Sequence, residues 1–567
     1  MIKRFFITLS AVLFIVSCHS QKKVVTSANE VVESLQEIEN YNNRPKLVVG
    51  IVVDQMRYDY LTRFYNKFGD GGFKRMLNEG FNCKNNHFNF IPTKTGPGHT
   101  SIYTGTTPKY HGIIGNDWYD KELKRNVNCV EDNSVESLGT ESKDGKKSPV
   151  QMLVSTFGDE NRLFTQMKGK TIGISVKHRG AILPAGHTAN AAYWWDHEHD
   201  GKGNWITSSF YMESLPEWVN EFNASGVAQS YFKTWDTLYD IDSYEESGTD
   251  TNTYERILNG ETESSFPHDL AELKKDNGGF HVVANSPFGN SLTTDFTLKA
   301  IEGEQLGKDN ITDVLTVSYS STDKVGHDYG PNSKEVEDTY LRLDLEIERL
   351  LNALDDNVGK GEYTVFLTAD HGAPHVPSFS KDNKIPAGLF DTKQMLKDVN
   401  ALLLDTYKVS DLAVSRINNQ IFLDHQKIEE QGIDIQELKT VVSRKLLTYK
   451  LISNVYVTSA INQFPESSGY QERLLYRGHH QKRSGDVLFI YTPEVFGDSP
   501  WNRTGTNHHS GYNYDTHVPL LFFGKGIKQG QTFKRTHITD IAPTISALLG
   551  ISFPNASIGE PLEFVMD

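Results

Sequence analysis

The sequence predicts an α/β protein: a doubly wound, mainly parallel sheet flanked by helices, carrying two inserted segments. Three observations predict it. Five near-continuous apolar, β-branched runs recur along the chain, helical patterns lie between them, and four of the five runs end in charged or metal-binding residues. The runs are KLVVGIVVD (46–54), KTIGISVK (170–177), DVLTVSYSSTD (313–323), YTVFLTADH (363–371) and HVPLLFFG (517–524). A strand with one wet face alternates apolar and polar residues. Runs that stay apolar fit parallel strands covered on both faces. Between them, GGFKRMLNEG (71–80) and VEDTYLRLDLEIERLLNAL (336–354) carry helical spacing.

The ends of the runs carry the chemistry. Asp54 ends the first, Lys177 the second, Asp323 the third, and Asp370-His371 the fourth. Open α/β sheets gather ligands outside the carboxyl ends of their strands. One acid at such a place is commonly a cap or a turn former, but the repetition here points to a site. Two stretches interrupt the pattern. Residues 188–300, with AAYWWDHEHDGKGNWITSSFY, read as an insertion beside that site. Residues 376–485, with helical FDTKQMLKDVNALLLDTY and IQELKTVVSRKLLTYKLI, read as a small α+β insertion.

The 567 residues carry a net charge of −16, which argues against nucleic acid as a main partner because phosphate backbones need clustered Lys and Arg. A locally positive site for a small phosphate remains compatible with that charge. At the N-terminus, Lys3 and Arg4 precede an apolar run from Phe5 to Val16 that is too short to span a bilayer and has signal-peptide form. Ile15-Val16-Ser17-Cys18 resembles a bacterial lipobox. Residues 1–17 are therefore expected to be a signal peptide, and 18–44 a tether carrying lipid on Cys18. This implies a periplasmic or cell-surface lipoprotein of a Gram-negative bacterium, attached to the membrane only through that lipid. In an exported chain Cys83 and Cys129 can pair or stay free, and the sequence leaves both open.

Candidate metal ligands cluster at the same strand ends. STDKVGHDYGP (321–331) places Asp323 four residues before His327, where a short turn after the strand would bring both onto one ion. TADHGAPH (368–375) adds Asp370 and His371, and TNHHSGYNYDTHVPLL (506–521) adds His508, His509 and His517. Carboxylate and imidazole together favour zinc. Three Asp and three His exceed one tetrahedral ion and divide between two. HEHD at 197–200 is a rival, set in a Gly-rich polar loop.

The order of these pieces resembles the alkaline phosphatase superfamily. It comprises Asp at the first strand end, T-G-P-G-H-T, D-x-x-x-H, D-H-G, then a late His before Y-x-Y-D-T-H-V-P. Within it, the chain is most similar to the flavobacterial phosphate-irrepressible alkaline phosphatases (PafA type), relatives of the nucleotide pyrophosphatases/phosphodiesterases. The closing THITDIAPTISALLGISFPNASIGEPL (536–562) resembles the superfamily's last segment. The resemblance implies an alkaline phosphatase-like catalytic domain over 45–567. It implies a monomer that hydrolyses a broad range of small phosphate monoesters with two zinc ions. It places Asp323, His327 and His508 on one zinc, and Asp54, Asp370 and His371 on the other with the Thr95 oxygen. His508 departs from the pattern, since His509 follows where the family usually has glycine.

The resemblance also settles the polar turn IPTKTGPGHTSIYTG (91–105), which by itself reads as an ordinary loop or as a nucleophile at a helix N-terminus. It makes Thr95, rather than Thr93 or Thr100, the nucleophile, at the turn into a helix expected to start near His99, whose backbone N–H groups would favour a phosphoryl oxygen. A threonine hydroxyl needs a base or metal to become a good nucleophile. Lys177 and Arg179, two apart in a segment read as extended, would face a phosphoryl group together. The resemblance gives this pair to monoesterases and assigns Asn116 to a phosphoryl oxygen. A phosphodiesterase of the same superfamily is the alternative.

Overall fold

The apolar runs supply the middle of a ten-stranded sheet. Its strands are Leu47–Val53 (β1), Phe81–His87 (β2), Ser137–Leu138 (β3), Thr171–Ser175 (β4), Ala191–Asp196 (β5), Asn204–Ser208 (β6), Asp313–Tyr319 (β7), Tyr363–Thr368 (β8), Leu520–Gly524 (β9) and Gly530–His537 (β10). They lie in the order β10-β2-β9-β8-β1-β7-β4-β5-β6-β3. The computed structural model describes residues 43–197, 201–461, 463, 468–499 and 502–567. The expected signal peptide, nearly all of the tether with Cys18, and residues 198–200 of HEHD lie outside the described residues.

The five central strands β8-β1-β7-β4-β5 are all parallel. One expectation is overturned: β9 runs antiparallel to both β8 and β2. Its Leu520–Phe523 are buried, and a continuous apolar run reports burial on both faces without reporting direction. The register aligns the exits of three strands, with Val53 opposite Tyr319 and Val52 opposite Thr368. Asp54, Asp323 and Asp370 therefore leave the sheet at one edge.

Helices Phe73–Glu79 (α1), Thr95–Thr104 (α2), His178–Ala185 (α3), Phe288–Gly303 (α4), Ser321–Tyr329 (α5) and Lys334–Leu354 (α6) include those that shape the site. The Ser333 hydroxyl caps α6 by accepting the Val336 N–H at 3.1 Å. Val336, Tyr340, Leu343, Ile347, Leu350 and Leu354 then turn one stripe into the core. Among the described residues no helix is long and apolar enough to cross a membrane.

Residues 188–300 are joined to the main body at both ends. β5 and β6 extend the central sheet, and Phe296 of α4 stacks on Trp205 of β6 with ring centroids 4.2 Å apart. Residues 376–485 contribute most of a second hydrophobic cluster. Helices Thr392–Tyr407 and Ile435–Leu446 share a separate core with an antiparallel four-stranded sheet through Met395, Val399, Leu438 and Val442. One strand of that sheet, Val487–Tyr491, lies past the expected boundary. Cys83 and Cys129 are free and buried. Burial pushes both thiols up to about 12.

Candidate active site

The sheet edge brings the expected ligands into two overlapping groups, Asp54–Asp370–His371 and Asp323–His371–His508, each with its ligand atoms within 4.8 Å of one another. Asp54 follows β1 directly, and its N–H donates to Tyr319 O at 3.0 Å. Asp370 and His371 follow β8. Asp323 and His327 sit on α5, so the expected short turn is a helix, and its i, i+4 spacing puts His327 Nε2 3.1 Å from Asp323 Oδ1. His508 Nε2 lies 3.7 Å from the same oxygen. His509 instead sets its ring edge against Tyr491 and Phe496.

The imidazoles show what the groups are built for. The Nδ1–H of His327 donates to Thr506 O at 2.8 Å, that of His371 to Gly372 O at 3.1 Å, and that of His508 to Thr93 O at 2.7 Å. A carbonyl can only accept, so each neutral ring is fixed with its lone pair on Nε2. Those lone pairs face carboxylate oxygens: His371 Nε2 is 3.4 Å from Asp54 Oδ1 and 3.6 Å from Asp370 Oδ2. Asp54 Oδ1, Asp370 Oδ2 and His371 Nε2 are all buried without a hydrogen-bond partner. Lone pairs converging in a dry site repel unless a cation lies between them, and orienting ring N–H bonds of this kind accompany metal-ligating histidines. The donor set fits metal ions.

Electrostatics agree. Burial, then Asp323 and Asp370, push Asp54 well above the usual carboxylate range. Burial also acts to raise Asp323, but His327, Lys177 and His508 outweigh it and hold Asp323 well below that range. Burial lowers His371 from 6.5 to about 4. Between those values the unfolded chain takes up a proton that the folded ring refuses. The stability tied to this ring is therefore complete above pH 6.5 and is lost as pH falls toward 4. Metal-free protein should show a lower urea midpoint at pH 5 than at pH 7, and an unchanged midpoint would refute the neutral ring.

Thr95 is the first residue of α2, so the helix begins four residues earlier than expected. The residue is buried. A Cβ at Gly98 would collide with the Asp370 carbonyl oxygen, so only glycine lets this turn approach β8 so closely. Two of the backbone donors at this turn are already engaged. Gly96 N–H donates to Asn116 Oδ1 at 2.7 Å, Pro97 has no N–H, and Gly98 N–H donates to Lys94 O at 2.8 Å. With its oxygen held by Gly96, the Asn116 amide is oriented beside Thr95.

Of Lys177 and Arg179, only Lys177 keeps extended backbone. Lys177 is the N-cap of α3 and Arg179 lies in its first turn. The Lys177 ammonium donates to Asp54 Oδ2 at 2.7 Å and to Asp323 Oδ2 at 2.5 Å, bridging the two groups. Burial acts to lower its pKa, but Asp323 and Asp54 reverse the effect and raise it. Arg179 Nε is buried without a partner.

Two residues escaped the sequence reading. Gln55, at φ 66°, donates its side-chain amide to Asp323 Oδ1 at 2.6 Å and its N–H to Asp370 Oδ1 at 3.2 Å, tying the two groups together. His99 donates Nδ1–H to Thr95 O at 2.9 Å, with the same nitrogen 3.2 Å from Asp370 Oδ2. A polar residue directly after the strand-end acid was the available signal for Gln55. His99 carried none beyond its place in the turn.

Residues 48–513 match the model of type I phosphodiesterase / nucleotide pyrophosphatase. A Myroides odoratus protein named calcium-transporting ATPase is 47% identical over 92% of this chain and 94% of its own. Alkaline phosphatase PhoV of Synechococcus elongatus is 45% identical over 97% of each chain. Alkaline phosphatase PafA of Elizabethkingia meningoseptica is 43% identical over 92% of this chain and 95% of its own. The wild-type PafA crystal structure superposes with a TM-score of 0.88, covering 92% of this chain and 99% of that one at 43% identity. A PafA variant altered at a threonine, an asparagine, a lysine and an arginine gives the same TM-score at 42% identity. With its mainly parallel sheet, the chain belongs to the type I phosphodiesterase / nucleotide pyrophosphatase family and resembles the PafA and PhoV alkaline phosphatases over nearly its whole length.

Proposed function

We propose that this protein is an exported, zinc-dependent phosphate monoester hydrolase that releases inorganic phosphate through a phosphothreonine at Thr95. The observation that carries the reading is the set of carbonyl-fixed imidazoles facing orphaned carboxylate oxygens beside a buried threonine. Asp323, His327 and His508 would hold one zinc. Asp54, Asp370 and His371, with the Thr95 oxygen, would hold the other. Zinc supplies Lewis acidity, which lowers the pKa of a nearby hydroxyl and offsets charge building on phosphoryl oxygens.

The chain's own residues do the rest. Thr95 Oγ1 gives its proton to solvent and attacks phosphorus as the P–O bond to the alcohol breaks on the opposite side, and the alcohol leaves with a proton taken from solvent. Water then cleaves the Thr95 phosphoester and restores the hydroxyl. The Asn116 amide and the Lys177 and Arg179 cations take phosphoryl oxygens. Thr95, Asn116, Lys177 and Arg179 are the residue types altered, in the same order, in the PafA variant. A monoester presents about two negative charges and a diester one, so this pair of cations favours the monoester over the phosphodiesterase alternative.

Dialysis against a strong chelator should abolish hydrolysis of p-nitrophenyl phosphate, and zinc should restore it best among divalent ions. Elemental analysis finding less than one metal per active chain would contradict the two-ion site.

A further inference from the structure

A second cationic site shares no residue with the metal groups, Thr95, Asn116 or the Lys177–Arg179 pair. It is a cavity of about 340 Å³ lined by Asn89, Tyr470, Arg473, Arg477, Arg535 and His537, with two apolar side chains and no carboxylate. Three elements build it. Tyr470, Arg473 and Arg477 are spaced i, i+3 and i+7 on helix Tyr470–Gly478 and so share one of its faces. Arg535 and His537 are two apart on β10, so their side chains leave the same side of the strand. Asn89 follows β2, whose His87 is paired with His537.

Among the described residues none of the three guanidiniums forms an ion pair. Arg473 donates to Ser468 O at 2.7 Å and Arg535 to the Tyr470 hydroxyl at 3.1 Å, both neutral acceptors, while Arg477 has no hydrogen bond. Asp540, whose charge Arg477 feels, lies outside the lining and offsets one of the three charges only at a distance. Burial, with Arg535 and Arg477, lowers His537 to about 4, so its imidazole is neutral. Like charges one turn apart on a helix repel, and a third guanidinium in the same cavity adds to that cost unless an anion lies among them. Asn89 supplies a second feature. It is 5% exposed, and its Nδ2 donates to the Thr539 hydroxyl at 2.9 Å, whereas its Oδ1 is buried and accepts nothing. A buried acceptor without a partner calls for a donor.

We infer that this cavity binds inorganic phosphate at a site separate from the catalytic one. Guanidinium forks match the geometry and charge of phosphate oxygens. Hydrogen phosphate is a donor as well: its dianion keeps one P–O–H, which gives Asn89 Oδ1 the proton it lacks. Sulfate, a phosphodiester and the dianion of a phosphate monoester carry no such proton, so Asn89 selects against all three. The proposed hydrolysis would supply this ligand, but the chemistry of the cavity does not depend on it.

Equilibrium dialysis of the zinc-loaded full-length protein against radiolabelled inorganic phosphate counts the ions bound. Competitive inhibition of p-nitrophenyl phosphate hydrolysis by phosphate reports the catalytic site alone. The double variant Arg477→Ala/Arg535→Ala should bind one phosphate per chain fewer than the wild type, with kcat and the inhibition constant unchanged. Each single variant should weaken this site by about 10- to 100-fold, the loss of one charge-assisted contact. Sulfate and dimethyl phosphate should compete for it at least about 5-fold less well than phosphate, because each leaves Asn89 Oδ1 unsatisfied. An equal phosphate count in the double variant and the wild type would overturn the inference, and so would equal competition by sulfate. A lower count that tracks a weakened inhibition constant would overturn it too, by placing the lost ion in the catalytic site. Absence of any inhibition by phosphate would count against the monoesterase reading instead, while the difference in count still decides this site.

Discussion

Thr95→Ala is expected to lower kcat on a phosphate monoester by several orders of magnitude, on the order of 10,000-fold, while zinc stays bound. Alanine removes the attacking oxygen and at most one metal contact. The six Asp and His side chains, with their bonds to Gln55 and to backbone carbonyls, remain. Thr95→Ser should keep part of the activity, because α2 still starts at the same place and still presents a hydroxyl. Acid-quenched wild-type protein turning over substrate should carry phosphate on Thr95. Full activity in Thr95→Ala with the dead variant at Thr93 would place the nucleophile two residues away. The Thr93 hydroxyl, however, donates to Ser510 O at 2.9 Å and is committed to holding the His508 loop.

Replacing both Lys177 and Arg179 with alanine should separate monoester from diester hydrolysis. Each contact to a charged oxygen is worth roughly 1.5–3 kcal/mol, or about 10- to 150-fold per residue. The loss should fall on monoesters, and diester cleavage should fall much less or rise as space opens. The single variants should not be equivalent. Lys177 bridges Asp54 and Asp323, so Lys177→Ala also leaves two buried carboxylates without a cation and should weaken metal-free protein. Arg179 has no such partner, so Arg179→Ala should read out substrate contacts alone. Equal losses on both esters would reduce the pair to structural support.

The strand-end logic made the site legible because apolar runs mark where β1, β4, β7 and β8 stop, and Asp54, Lys177, Asp323 and Asp370 lie just beyond. Direction was not legible. β9 is as apolar as the parallel strands at the centre of the sheet, since burial on both faces looks the same whichever way a strand runs. Local conformation at the strand exits was also misread. Asp323–His327 and Lys177–Arg179 both enter helices, because the chain turns from sheet to helix within two or three residues there. A helix opening near the Thr95 turn was legible, but not its start at Thr95 nor that Asn116 and Lys94 O engage the Gly96 and Gly98 donors, because those are contacts no spacing rule encodes. Gln55 escaped for a similar reason. Its role depends on a left-handed backbone that aims the amide at Asp323, and on Gly326, where any Cβ would meet the Gln55 side chain.

The most direct test compares kcat/KM of the wild-type protein on p-nitrophenyl phosphate and on bis-p-nitrophenyl phosphate, before and after chelation and again after zinc is returned. A strong preference for the monoester, lost with the metal and recovered with zinc, is the result expected from two metal groups flanking Thr95 with Lys177 and Arg179 on the phosphoryl oxygens. A preference for the diester, or monoester turnover that survives complete removal of metal, would contradict it.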